Sequence, residues 1–218
     1  ANNIRIHGQD GTFKKVKKEG WQKSLFYQYD YNLANTPWNG FNRHFAFGRR
    51  WYYGKTYKIG IGLGLDWNRF VFNDQNSNIH PFHDQVMIRN MQVRGELLQR
   101  VVIRLLGINW DLGAYGGINV TRRVRITDKT IMLDDMGEPF PQDSYLKKVT
   151  TYYNAKAMNL FEYGAFTRLS YSVGNMLNIG VYGSYRLSPI LTKDDPILGT
   201  KANNPSPWSV GVEIELMP

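Results

Sequence analysis

From Tyr57 to Trp67 the chain alternates without a break. Tyr57, Ile59, Ile61, Leu63, Leu65 and Trp67 are bulky and apolar, while Lys58, Gly60, Gly62, Gly64 and Asp66 between them are small or charged. A period of two sends successive side chains to opposite faces of an extended strand, whereas a helix needs apolar residues three and four apart. The same pattern recurs over Ser24–Leu33, Trp110–Val120, Phe161–Tyr171, Leu177–Leu187 and Trp208–Leu216. Two less regular strands over 44–53 and 88–99 bring the expected set to eight.

The connections between these segments alternate in length. Short ones fall at Tyr53–Lys55, around Arg100–Gly107 and at Ser172–Asn175, where Val-Gly-Asn suits a hairpin turn. Long polar ones fall at 35–43, 73–87, 127–158 and 189–206. Short turns on one side and long loops on the other describe an all-β, eight-stranded antiparallel up-and-down transmembrane barrel with periplasmic turns and exterior loops. An even strand number puts both termini on the periplasmic side. Residues 1–23 then form an N-terminal periplasmic segment ahead of a single barrel domain over 24–218.

Alternation alone does not say which face meets lipid. A soluble barrel keeps its apolar face inside and its charges in water. Here the non-apolar face is crowded with glycine and carries isolated charges of both signs: Asp30, Asp66, Glu96, Asp111, Glu162 and Glu213 against Lys58, Arg94, Arg168 and Arg186. Eight strands enclose a lumen just wide enough for side chains to fill. Mixed charge suits that space because a buried charge without a partner costs several kcal/mol. Glycine at every other position of a solvated strand would only weaken it. The ten charges are therefore expected to form a lumen network, with the apolar face towards lipid.

Each regular strand is long enough to cross a bilayer with tilt, and no run of 18 or more apolar residues offers a transmembrane helix. Tyr57, Trp67, Trp110, Tyr171 and Trp208 fall near strand ends, as an interfacial aromatic girdle would. Arg49 is the exception, because it shares a face with Phe45, Phe47 and Trp51. It either reaches for the interface at the short-turn end or a bulge swaps the faces.

Three segments carry a resemblance. Lys58-Ile-Gly-Ile-Gly-Leu-Gly-Leu-Asp-Trp-Asn-Arg-Phe70, Asp111-Leu-Gly-Ala-Tyr-Gly-Gly117, and Tyr185-Arg-Leu-Ser-Pro-Ile-Leu191 with Pro207-Trp-Ser-Val-Gly-Val212 resemble the PorT-like outer-membrane β-barrels of Bacteroidota. The resemblance covers most of residues 24–216. It implies an eight-stranded outer-membrane barrel, in some relatives an accessory part of type IX secretion and gliding machinery. It brings no catalytic motif.

The chain has no Cys, so neither disulfides nor thiol chemistry are available. It begins with Ala, as a product of signal-peptide removal would. Its net charge of +9 suits anionic partners. The basic clusters Lys14, Lys15, Lys17, Lys18 and Arg122, Arg123, Arg125 come with no recognition motif, so outer-membrane lipids or lipopolysaccharide are expected and nucleic acid is not. His80 and His83, with Asp74 or Asp84, are too few and too loosely spaced for a metal site. Asp134, Asp135 and Glu138 around Gly137 lack the spacing of a calcium loop. Ser188, His44 and His83 fit no hydrolase arrangement.

No catalytic residue, metal or cofactor is expected. The 127–158 segment carries Ile131, Met132, Leu133, Phe140, Tyr145, Leu146, Tyr152 and Tyr153, too apolar for simple disorder; it suits a cover for the barrel mouth or a surface for a partner. The expected function is a non-enzymatic structural or accessory subunit that meets other outer-membrane or periplasmic proteins. The alternative is a free-standing surface barrel that binds ligands through its exterior loops.

Overall fold

A computed structural model describes residues 5–7, 13–15, 20–33, 42–72, 83–131, 146–154, 156–174, 176–194 and 204–217. Two short strands, β1 (Arg5–His7) and β2 (Phe13–Lys15), pair antiparallel with each other. A separate nine-stranded sheet comprises β3 (Gln22–Asn32), β4 (Asn42–Gly54), β5 (Tyr57–Phe72), β6 (His83–Ile103), β7 (Ile108–Ile131), β8 (Leu146–Asn154), β9 (Phe161–Val173), β10 (Leu177–Arg186) and β11 (Trp208–Leu216).

Eight of these close an antiparallel up-and-down barrel in the order β3-β4-β5-β6-β7-β9-β10-β11, with β11 returning to β3. β8 stands apart from the ring and pairs with the last residues of β7. Following the register from Val173 through Leu177, Leu216, Leu25, Arg49, Leu63, Gly95 and Gly116 leads back to β9 at Tyr163, ten residues from the start. That stagger tilts the strands by about 40° and leaves a lumen that side chains fill.

The connections at one end are tight. Gly54 and Gly174 both have positive φ, and Gly107 follows the 3-10 turn Arg104–Leu106 with a left-handed φ of 64°. A side chain at Gly107 would be strained there, which places glycine at the corner.

β6 and β7 are longer than their alternation suggests. β6 runs through Arg100 to Ile103, so Arg100 belongs to a strand and not to the turn. The 127–158 segment is likewise no continuous loop, because β7 persists to Ile131 and β8 returns along it. At the other end of β6, pairing begins at His83, inside the expected 73–87 loop.

A bulge explains why β7 was hard to follow. Met91 pairs with Thr121 but Gln92 pairs with Asn119, leaving Val120 extra. One inserted residue reverses the alternation beyond it. Before the bulge the odd positions Asn109, Asp111, Tyr115 and Asn119 are buried; after it the even positions Val124 and Ile126 are.

β4 has no such break. Its register with β3 and β5 is continuous, so Arg49 stays outward and exposed while Arg50 is buried inside. Arg49 lies four residues beyond Tyr53, about 10 Å along the barrel axis from the turn end, within reach of the interface.

The outer wall inverts the pattern of a soluble protein. Ile59, Leu63, Leu97, Leu112, Val181 and Val212 are all more than half exposed. A continuous apolar belt of this kind is far larger than soluble monomers tolerate, whereas lipid accommodates it. Tyr57, Trp110 and Tyr171 mark its turn end, and Trp67 and Trp208 its loop end, all five outward. Tyr57 and Trp67 are ten residues apart on β5, about 25 Å along the axis at this tilt, which matches the apolar band of a membrane barrel.

Candidate functional site

The lumen is packed with ions bonded to one another. Arg50 donates from Nε to Glu96 at 2.6 Å and from Nη1 to Glu213 at 2.6 Å. Arg100 donates to Asp111 at 2.7 Å and to Glu215 at 2.6 Å. Arg168 reaches both Asp111 and Glu213, and also donates to the Tyr52 hydroxyl at 3.1 Å. The Tyr52 hydroxyl in turn donates to Glu215 at 2.5 Å.

Each of these side chains comes from an inward position on β4, β6, β7, β9 or β11, so the cluster ties five strands across the barrel. The guanidiniums also lie over aromatic faces: Arg50 sits 3.7 Å from the Phe26 centroid and Arg100 4.1 Å from that of Tyr52. Such contacts are strongest where the cation is desolvated.

Glycine makes the room. A Cβ at Gly62 would lie 2.9 Å from Glu96 Oε2, and one at Gly64 would lie 2.9 Å from both the Phe26 ring and the Phe47 carbonyl. The small residues between the apolar positions of β5 are thus the floor on which Arg50, Phe26 and Glu96 rest.

A second group lies nearer the loop end. Arg94 donates to Asp66 at 3.2 Å and to the Tyr182 hydroxyl at 2.7 Å, and contacts Glu96 at 3.1 Å. His44 stands between two carboxylates, with Nδ1 on Asp30 and Nε2 3.1 Å from Asp66. Beyond them is a cavity of about 20 Å³ lined by Glu162, Arg186, Ser184 and Asn32, among others. That is space for about one water.

The ten charges expected inside are all buried, yet they do not all join one network. Asp30, Asp66, Arg94, Glu96, Asp111, Arg168 and Glu213 do. Lys58 instead donates to Gln22 at 2.7 Å, Arg186 donates to the carbonyls of Pro205 and Ser206 at 3.0 Å, and Glu162 lines the small cavity. The expected network left out Arg50, Arg100, Glu215, His44 and Tyr52, although alternation over 208–216 already puts Glu215 on the inner face beside Glu213. For Arg50 and Tyr52 the signal was present in the even positions of 44–53; for Arg100 it was hidden by assigning the residue to a turn.

Above the ions the lumen turns apolar. Phe70, Val86, Ile88, Val124 and Ile126, from the parts of β5, β6 and β7 beyond the girdle, pack with Met158, Ile190 and Leu191. Met158 and Leu191 form a bridge, Asn159 N donates to Ile190 O at 2.7 Å, and Thr192 N to Ala157 O at 2.8 Å. Arg122 secures this strap by donating to the Met158 carbonyl at 2.8 Å. The segments that follow β8 and β10 therefore pack an apolar core against the extensions of β5, β6 and β7 at the loop end of the lumen.

The other candidates separate in space. Ser188 is buried and accepts a hydrogen bond from Tyr163 N at 3.0 Å, while His44 is held by Asp30 and Asp66. The basic run at 122–125 is split by its alternation: Arg122 turns in and Arg123 is exposed. His80, Asp74, Asp134, Asp135, Glu138, Lys17 and Lys18 lie outside the described residues.

No protein family matches the chain, and no curated protein does. Among solved structures the fold is similar to that of Neisserial surface protein A (NspA), at 9% identity and a TM-score of 0.41, over 91% of this chain and 96% of that one. At that identity the likeness concerns the barrel alone.

Proposed function

We propose that this chain is a non-enzymatic barrel of a bacterial outer membrane, with its turn end and termini in the periplasm, that serves as a structural or accessory subunit of a larger outer-membrane assembly. The observation that carries this reading is a lumen filled by bonded ions, with an apolar cluster packed above them at the loop end. A barrel filled in this way offers neither a path for solutes nor a cleft for a substrate, so its work falls to its outer surfaces.

One such surface is the β7–β8 hairpin, which continues past the barrel rim. Among the described residues β8 pairs only with β7, and its other edge pairs with none of them. An open edge is a ready template for a strand from another chain. The likeness of residues 58–70, 111–117, 185–191 and 207–212 to PorT-like barrels of Bacteroidota supports a role beside type IX secretion. Other outer-membrane or periplasmic proteins are its partners in this reading, and membrane lipids its surroundings.

Extraction of native membranes in mild detergent, followed by mass spectrometry of whatever travels with the chain, tests the proposal. Partners at fixed ratio are the expected result. A lone barrel would overturn the assembly role and favour a free-standing surface protein acting through its exterior loops.

A further inference from the structure

Among the described residues, every cation in the bonded lumen network but one is an arginine, which does not give up its charge in a protein. The exception is His44 on β4. Its Nδ1 meets Asp30 Oδ1 of β3, and its Nε2 lies 3.1 Å from Asp66 Oδ2 of β5. A neutral imidazole has one N–H and one lone pair, so it serves one carboxylate as a donor and turns a lone pair to the other. The imidazolium donates to both.

The partners say where the protons sit. Asp66 Oδ2 also accepts from Arg94 at 3.2 Å, so it has no proton to offer the ring and Nε2 is the donor. Asp30 is fully buried, and among the described residues its carboxylate bonds to His44 alone, its second oxygen having no partner. The proton between Nδ1 and Asp30 belongs on the ring, since free imidazole is more basic than a free carboxylate by about 2.5 pH units.

Other charged and titratable groups approach from around the barrel. Arg94 comes from β6, Tyr115 from β7, Glu162 from β9 and Arg186 from β10, whose Tyr182 also bonds to Arg94. β11 brings Ser209. These side chains share with the ring the cavity of about 20 Å³, and the His44 side chain is 12% exposed. One water fits there, enough to carry a proton between the ring and solvent.

We propose that His44 is held as an imidazolium and works as a proton-operated clasp that joins β3, β4 and β5 at the loop end of the ion plug. The chain of ions from Asp30 through His44, Asp66 and Arg94 to Glu96 ends on Arg50, inside the plug. Loss of one ring proton to hydroxide, leaving water, turns a lone pair towards a carboxylate and opens the clasp. The arginines of the plug keep their charge throughout. The clasp therefore holds at neutral pH and is lost as the pH rises, and it depends on the lumen alone, whatever the barrel's partners.

Solution NMR of the full, uniformly 13C- and 15N-labelled chain, refolded in detergent micelles, reads the ring directly. Sequential assignment identifies His44 among the four histidines without any substitution. At pH 7.5 a free imidazole, half-charged at about pH 6.5, is mostly neutral. Both ring nitrogens of His44 are expected to bear protons there. One bare nitrogen at that pH would overturn the proposal.

The same sample tests the clasp. Once the pH is high enough for the ring to lose a proton, amide protection at the loop ends of β3, β4 and β5 should fall about tenfold relative to the residues around Arg50, Arg100 and Arg168. His44→Gln should show that fall already at pH 7.5, with no further step on raising the pH. Where His44→Gln does not refold, the pH series on the parent decides. Loop-end protection that survives deprotonation, or falls in step with the plug, would overturn the clasp. So would a ring that keeps both protons until the barrel itself unfolds, because it would then be a fixed ion.

Discussion

Towards the turn end of the lumen, Arg50, Arg100 and Arg168 meet Glu96, Asp111, Glu213 and Glu215 at hydrogen-bonding distance, all fully or almost fully buried. At the loop end, Phe70, Val86, Ile88, Val124, Ile126, Met158, Ile190 and Leu191 meet with no charge among them. Both arrangements fill the same tube, but by different physics. Burying ion pairs returns little net stability over a hydrophobic filling, whereas removing one partner leaves a stranded charge and costs a great deal.

The ions instead contribute specificity. A strand that slipped by one residue would carry its charges into lipid, so the paired network fixes the register of five strands. The cap is held by non-directional burial, which constrains volume more than identity.

Substitutions can break or sharpen that contrast. The largest effect is expected for Arg168→Ala, which leaves Arg50 and Arg100 to balance Glu96, Asp111, Glu213 and Glu215. About 3–5 kcal/mol of stability should be lost in urea unfolding from lipid vesicles. Arg168→Lys should do nearly as much harm, since a single ammonium does not reproduce a fork that reaches three partners. A loss under about 1 kcal/mol in both variants would mean that the ions do not hold the strands.

The cap should respond less steeply and more forgivingly. Ile88→Ala, at a fully buried position, is expected to cost about 2–4 kcal/mol. Ile88→Leu should cost under about 1.5 kcal/mol, because volume is kept. Equal damage from both would show that the cap, like the plug, depends on the identity of its residues.

The smallest effect should have the opposite sign. Arg49→Leu removes a cation from the lipid face partway up the wall, and should stabilise the barrel by about 1 kcal/mol. Its neighbour shows the other side of the comparison, since Arg50→Leu would remove one of the two guanidiniums that hold Glu96 and one of the two that hold Glu213. One residue along a strand separates a gain from a large loss.

Much of this was readable in the chain itself. The alternation of 57–67 and its five counterparts gives the strands, and glycine with mixed charge on one face gives the inside. What alternation does not reveal is where a pattern changes phase. The extra Val120 flips β7, so Val124 and Ile126 point in where continued counting points them out. The cap was lost for that reason, and because a strand beyond the membrane looks like a loop when loops are expected there. Arg100 was lost to a turn placed four residues early. Arg50 and Glu213 in the ion network are 163 positions apart, a pairing that no local pattern encodes.

Single-channel recording of the purified chain in a planar lipid bilayer tests the filled lumen most directly. A barrel plugged by Arg50, Arg100 and Arg168 and capped by the Ile88 cluster should insert without producing steady conductance steps at moderate voltage. Stable, ohmic openings from the folded parent barrel would contradict it, because ions would then be crossing a lumen that has no room for them.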